Sequence, residues 1–248
     1  MNKIKGKRMF DVIFSLIIFI TFFPILIIIL MAVWIDDKKS PFYLAKRVGK
    51  NNLDFTMIKI RSMRIDAEKF GINSTSSDDE RITRIGHFIR RFKLDEIFQF
   101  LNVIQDNMSI VGPRPNTRKQ GVDLYTSEEM KLLRVKPGVT DFSSIVFSDE
   151  GKILENKEDP DLAYNQLIRP WKSRLGLIYI KHQSILLDIE IIIYTLVALI
   201  SKRTALNWVS KKLENLGVDR NLVIISKREI ELFPYPPPGL DYVITTRK

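Results

Sequence analysis

From Val12 to Ile35 the chain runs for 24 residues without a charge, VIFSLIIFITFFPILIIILMAVWI. A helix of that length can cross a hydrocarbon core of about 30 Å, so length alone reads as one bitopic span. The run is too long for a signal-peptide core, and no small-residue cleavage pattern follows it. Pro24 complicates the simple reading, with 12 residues of the run before it and 11 after. It lacks a backbone N–H and clashes with the preceding turn, which predicts a kink or break there. Each half would then reach roughly 17 Å, about half a bilayer. Both flanks are basic: Lys3, Lys5, Lys7 and Arg8 precede the run, and Lys38, Lys39, Lys46, Arg47 and Lys50 follow it. Positive charge marks the cytoplasmic side of a membrane segment. Matched basic flanks and a central proline together predict a re-entrant helix-hairpin that enters and leaves through one leaflet. Ser15 and Thr21 are local partners for the backbone groups a break would free.

The rest of the 248-residue chain is strongly basic, with a formal net charge of +10. That balance points to nucleic acid, an anionic membrane surface or phosphorylated substrates. There is no Cys, which removes disulfides, thiolate nucleophiles and Cys-ligated zinc, and the two His have no paired ligand spacing. Neither GxGxxG nor a Walker A loop occurs, so neither standard nucleotide cradle is present.

Residues 40–62, FYLAKRVGK then NNLD then FTMIKI, read as a β-hairpin. The polar stretch of residues 71–80 reads as a loop. Arg81 to Lys93 is basic, with Ile82, Ile85 and Ile89 at helical spacing. In LDEIFQFLNVI, the residues Leu94, Ile97, Phe98, Leu101 and Ile104 form an apolar helix face, while Asp95, Gln99 and Asn102 line another beside Glu96. Taken alone, Asp95 and Glu96 read most simply as an exposed first turn whose acids complement the helix dipole. VGPRP is a rigid turn that aims the Arg114 guanidinium, a group matched to phosphate oxygens. VKPGVT reads as another turn, and residues 159–200 as largely helical. Ile191 to Ile200 is too short for a second span and reads as a buried or interfacial helix.

Six segments in order carry a resemblance: KRMFD (Lys7–Asp11) before the proline-centred run, AKRVGK, IKIRSM (Ile58–Met63), DDERITRIGHFIRR, LDEIFQFLN and MSIVGPRP (Met108–Pro115). Together they resemble the bacterial sugar transferases, the monotopic phosphoglycosyl transferases, over about residues 7–200. The resemblance implies transfer of a sugar-1-phosphate from a nucleotide diphosphate sugar, uridine being the usual base, to polyprenol (undecaprenyl) phosphate. This step starts assembly of capsule, exopolysaccharide, O-antigen or glycoprotein glycans. It implies that Asp95 is a nucleophile taking the phospho-sugar as an acyl phosphate, that Glu96 assists, and that Mg2+ is held at the pair. Lys59, Arg61, Arg90, Arg91 and Arg114 would supply cations for the diphosphate. The expected setting is the bacterial inner membrane, with the catalytic part facing the cytoplasm. Self-association and hand-over to downstream glycosyltransferases fit the same picture.

The expected fold is α/β, mostly α: a basic N-terminus and re-entrant helix over residues 1–36, a small membrane-surface catalytic domain with amphipathic helices and a short β-hairpin over 37–205, and an extension of unassigned role over 206–248. Four positions depart from the family pattern: Phe23 replaces a Ser before Pro24, Phe98 a Pro, Asp106-Asn107 a Gly-Asp, and Asp141 a Gly. A competing reading is a membrane-tethered basic protein binding nucleic acid or anionic lipid. No recognition motif or aromatic–basic interleaving supports it, so nucleic acid is not expected as a partner. A bitopic protein with an extracytoplasmic domain is the third.

Overall fold

The structure, a computed structural model, describes residues 4, 6–65, 79–119 and 121–246. Of the loop expected over residues 71–80, only 79 and 80 fall within the described residues. The chain is mostly helical, with two small two-stranded sheets and one long apolar helix at its N-terminal end.

That helix, α1, spans Lys7–Asp37, 31 residues or about 46 Å at 1.5 Å per residue. It begins after Gly6 and ends at Lys38, both left-handed, with the Lys38 N–H donating to the Trp34 carbonyl. The helix runs continuously across Pro24, so the break expected there is not found as a non-helical interruption. A proline withdraws only one N–H from the ladder, and the helical bonds on either side remain. Residues Ile13, Ile17, Ile20, Ile28, Met31 and Ile35 form one exposed apolar stripe, and Pro24 lies on it. The opposite face, carrying Asp11, Ser15, Leu26, Ile29 and Val33, is buried against the remainder of the chain.

Both ends of α1 are fastened to the same body. At the start, Lys7 Nζ donates to Asp188 Oδ2 at 2.6 Å and to the Val111 carbonyl at 3.3 Å. Arg8 donates to the Val103 and Ile104 carbonyls at 2.5 and 2.9 Å, and Asp11 accepts from Ser109 Oγ at 2.8 Å. At the far end, Asp37 takes a two-pronged contact from Arg61 at 2.6 and 2.7 Å.

The hairpin is observed as β1 (Phe42–Val48) antiparallel to β2 (Asp54–Ile60), in the register Phe42↔Ile60 to Val48↔Asp54. Asn51 and Asn52 turn it in the left-handed region, which asparagine tolerates better than most residues. Next come α2 (Arg84–Arg91), capped by the Thr83 hydroxyl, a 3-10 turn at Leu94–Glu96, and α3 (Gln99–Ile104). Strand β3 (Ser109–Val111) leads into the Pro113–Pro115 turn and pairs in parallel with β4 (Gly138–Thr140), which lies in the segment expected to be only a turn. The two strands approach closely: a Cβ on Gly138 would lie 2.1 Å from the Gly112 nitrogen, so only glycine fits.

The remaining helices are α4 (Phe142–Val146), α5 (Glu150–Ile153), α6 (Pro160–Ala163), α7 (Arg169–His182), α8 (Ile185–Ile200), α9 (Lys202–Asn215) and α10 (Arg220–Lys227). A one-turn π-helix, Tyr164–Ile168, joins α6 to α7. The main core gathers Phe142, Ile145, Trp171, Leu175, Tyr179 and Ile191. A smaller one, made by Leu26, Ile29, Val33, Ile60, Ile89 and Phe98, joins α1 to β2, α2 and α3.

The boundary expected at residues 205/206 falls inside α9. Ala205, Leu206, Val209 and Leu213 of that helix, with Leu222 and Ile225 of α10, lie in the main core. The segment after α10 is strapped across α7: Tyr235 stacks on Trp171 at 4.4 Å and its N–H donates to the Gln166 carbonyl. Residues 206–246 are thus part of the same packed unit, because their apolar positions complete its interior.

Candidate active site

The Asp95–Glu96 pair sits on the 3-10 turn between α2 and α3, at the seam of the two cores. It is not the exposed helix start that local pattern suggests, since Asp95 is only 9% exposed. The polar face of the following helix also turns inward. Asn102 accepts from the Ile58 N–H at 2.9 Å and donates to the Thr56 carbonyl at 2.8 Å, stitching α3 to the middle of β2. That stitch places the next residue of β2 with the opposite orientation, Lys59, beside the pair. Lys59 Nζ lies 3.4 Å from Asp95 Oδ2 and 3.7 Å from Glu96 Oε1. Gln99 is fully buried and neither atom of its amide finds a partner among the described residues.

Arg114 arrives from the other side on the VGPRP turn. Its guanidinium grips both oxygens of Glu96, and Nη1 also donates to the Val139 carbonyl at 3.3 Å. The close pairing of β3 with β4 brings that carbonyl to the arginine. The two carboxylates therefore differ. Among the described residues, Glu96 is held by Arg114 and Lys59, whereas Asp95 has Lys59 alone and its Oδ1 accepts no hydrogen bond.

Their electrostatics differ in the same sense. Burial pushes the Asp95 carboxyl above the ordinary range, against the pull of Lys59. Burial would raise Glu96 as well, but Arg114 and Lys59 overcome it and hold that carboxyl at about 2. Arg90 and Arg91 therefore do not set the Asp95 carboxyl low, as cations flanking it in sequence might suggest; desolvation outweighs them.

The other predicted cations are placed unequally. Arg90 is close enough to interact with Asp95 and donates from Nε to Ser62 Oγ at 2.9 Å. Arg61 is engaged elsewhere, clamping Asp37 and donating to the Ser40 carbonyl at 2.8 Å. Arg91 is exposed, with its guanidinium 5.7 Å from the Phe92 ring. Neither Arg61 nor Arg91 makes an ion pair or hydrogen bond with the dyad. In the sequence Lys93 reads as one more member of a basic run. It precedes the dyad in a left-handed conformation, φ 53° and ψ 28°, and is half-buried among Glu96, Arg114, Asp95 and Asp141. Asp141 is buried too, and accepts from Ser143 Oγ and from both the N–H and Oγ of Ser144.

Among the described residues no cluster of three or more carboxylate or imidazole groups could cage a metal. Two adjacent carboxylates, one with a free oxygen, fit a Mg2+ ion that takes its other ligands from water and phosphate.

Comparison with known proteins gives a consistent result. A family model described as "Bacterial sugar transferase" matches residues 2–202. The undecaprenyl-phosphate glucose phosphotransferase of Komagataeibacter xylinus is 35% identical over 205 residues, covering 80% of this chain and 36% of the relative. The UDP-glucose:undecaprenyl-phosphate glucose-1-phosphate transferase of Xanthomonas campestris pv. campestris is 33% identical over 207 residues, covering 82% and 40%. A putative undecaprenyl-phosphate N-acetylgalactosaminyl 1-phosphate transferase of Bacillus subtilis is 40% identical over 109 residues, covering 44% and 61%. The chain thus spans well under half the length of the first two relatives.

Proposed function

The chain belongs to the bacterial sugar transferase family, and on that premise we propose that it transfers a sugar-1-phosphate from a UDP-sugar to undecaprenyl phosphate through a covalent Asp95 intermediate. One observation carries the assignment of roles: Glu96 is locked by Arg114, while Asp95 is desolvated, weakly partnered and has a free Oδ1. A buried carboxylate with few hydrogen bonds is a more reactive anion than a saturated one.

In this mechanism an Asp95 oxygen attacks the phosphorus bearing the sugar. The new O–P bond forms as the P–O bond to the nucleotide breaks, and its electron pair leaves on the nucleoside monophosphate. An oxygen of undecaprenyl phosphate then attacks the same phosphorus and releases the Asp95 carboxylate. Splitting one displacement into two is the usual gain from a carboxylate nucleophile. Lys59 and Arg114 orient the pair and offset charge on the diphosphate, with Arg90 adding to the positive field. Asp95 and Glu96 would hold Mg2+, which when bound supplies further charge neutralisation at the diphosphate.

The attachment of α1 supports monotopic placement, with both helix ends on the cytoplasmic side of the inner membrane. A helix whose first and last turns grip one body cannot readily place them on opposite membrane faces, and its outward stripe is apolar. Single cysteines at Asn2 and Lys39 test this: an impermeant reagent should label both from the same side, and labelling from opposite sides sinks the topology.

The chemistry is tested by incubating the protein with a panel of labelled nucleotide sugars and Mg2+, without undecaprenyl phosphate. Label on the peptide containing Asp95, with release of nucleoside monophosphate, is expected. Label on Glu96 reverses the two roles, and no label together with ternary-complex kinetics removes the covalent step.

A further inference from the structure

The cations of the site are nearly used up by the protein's own acids. Lys59 and Arg114 carry two positive charges and contact the two negative charges of Asp95 and Glu96, so that quartet is formally neutral. Asp141, the third acid nearby, is satisfied by Ser143 and Ser144. A nucleotide diphosphate sugar brings at least two more negative charges. A neutral quartet gives them little net attraction, so beyond Mg2+ and the field of Arg90, binding draws on any cation of the site that is not already engaged.

Lys93 has that property. Its ammonium makes no hydrogen bond or ion pair among the described residues, although it is half-buried and its nearest charged neighbours include both dyad carboxylates and Arg114. Its backbone is left-handed, a conformation that costs a non-glycine residue of order 1–3 kcal/mol. Asn51, Asn52 and Lys38, also left-handed, lie at an exposed hairpin turn and a helix end, where such residues are common. Lys93 is likewise at a helix end, one residue past the Phe92 C-cap of α2, but its N–H donates to the Arg90 carbonyl at 3.1 Å and its carbonyl accepts from the Glu96 N–H at 3.2 Å, so this turn ties it directly to the dyad.

We propose that Lys93 is a further phosphate-binding cation of the site, donating from its ammonium to the non-bridging oxygens of the phosphorus that Asp95 attacks. It forms no covalent bond; its part is to offset the charge that develops as the P–O bond to the nucleotide breaks. The role rests on the covalent reading given above, so its test has one arm that needs no chemistry.

In that arm, binding of inorganic pyrophosphate to the full-length protein is followed by calorimetry for wild type, Lys93→Gly, Lys93→Met and Lys93→Arg. Glycine relieves the left-handed strain while removing the charge. Lys93→Gly should therefore melt at the wild-type temperature or higher, yet bind pyrophosphate about tenfold more weakly, and Lys93→Arg should retain most of the affinity. In the second arm, nucleoside monophosphate release should fall roughly 10²-fold in Lys93→Gly and Lys93→Met. Wild-type pyrophosphate affinity in both neutral variants overturns the proposal, as does a loss that merely tracks a lowered melting temperature. If wild type shows no Asp95-dependent release, the covalent reading falls, and the pyrophosphate arm alone decides the role of Lys93.

Discussion

Glu129 and Asp95 are both carboxylates withdrawn from solvent beside cations, but their surroundings are opposites. Glu129 is completely buried and accepts from Arg169 Nε at 3.0 Å, Arg169 Nη2 at 2.5 Å, Ser173 Oγ at 2.6 Å and the Thr126 N–H at 3.0 Å. Arg169 in turn donates to the Leu124 carbonyl and to Asn165 Oδ1. Nothing there is left to react or to bind. Around Asp95, among the described residues, there is one lysine at 3.4 Å, a buried glutamine amide without a partner and a left-handed lysine whose ammonium has no partner. A saturated buried ion pair joins elements of a fold. An under-saturated one keeps capacity for a ligand, at some cost in stability.

Mutation separates the two clusters most sharply at their centres. Asp95→Asn should lower turnover at least about 10⁴-fold, as removal of a nucleophile does, and abolish any labelled adduct. Its melting temperature should stay level or rise, because a desolvated charge has been removed. A large loss of stability in this variant would make Asp95 a structural residue like Glu129.

Glu129→Ala should do the reverse. Leaving Arg169 buried without its acid should destabilise the fold by about 3–5 kcal/mol, read from urea unfolding in detergent. Turnover per folded molecule should be nearly unchanged. A selective loss of turnover would mean that this second cluster also reaches the chemistry.

Arg114 belongs to the reacting cluster yet resembles the saturated one in its grip on Glu96. Arg114→Ala should cost about 2–4 kcal/mol in the transition state, or roughly 10²–10³-fold in kcat/KM. Arg114→Lys should recover only part, because the fork geometry is lost. Full recovery by lysine would show that charge alone is required.

The smallest effect concerns acid. Glu96 has its folded-state carboxyl at about 2, below its ordinary 4.5. A depressed carboxyl contributes stability that is present above the unfolded value and lost as pH falls through 4.5 toward 2. Glu96→Gln should flatten the stability profile in that window and, near pH 7, lower stability by a constant amount that does not vary with pH. An unchanged acid limb in Glu96→Gln would remove Glu96 from the acid response.

Some of this was legible before any coordinates. Alternation and the asparagine turn gave β1 and β2, and an uncharged run gave α1. The dyad was visible only through the family pattern, since adjacent acids after a basic stretch equally describe a helix start in water. Asp95, Gln99 and Asn102 share a face by spacing, but spacing cannot say whether that face meets solvent or a buried site. β3 and β4 are three residues each and lie far apart in sequence, so no local signal announces their pairing. The engagement of Arg61 by Asp37 hides for the same reason. In α9, Ala205, Leu206, Val209 and Leu213 do recur at helical spacing, so its place in the core was readable from periodicity. The proline-rich stretch beyond it obscured that signal by suggesting a tail.

The contact between Lys7 and Asp188 bridges 181 residues. During synthesis at roughly 5–20 residues per second, about 10–40 s separate the emergence of the two partners from the ribosome. The Arg8 contacts wait less, since Val103 and Ile104 follow by 95 and 96 residues. For much of that interval α1 has no domain to hold. Assembly is therefore ordered by the ribosome: α1 emerges first, the hairpin and dyad follow, and α8 supplies the final latch. A nascent chain arrested before residue 188 would have α1 complete with Lys7 still awaiting Asp188.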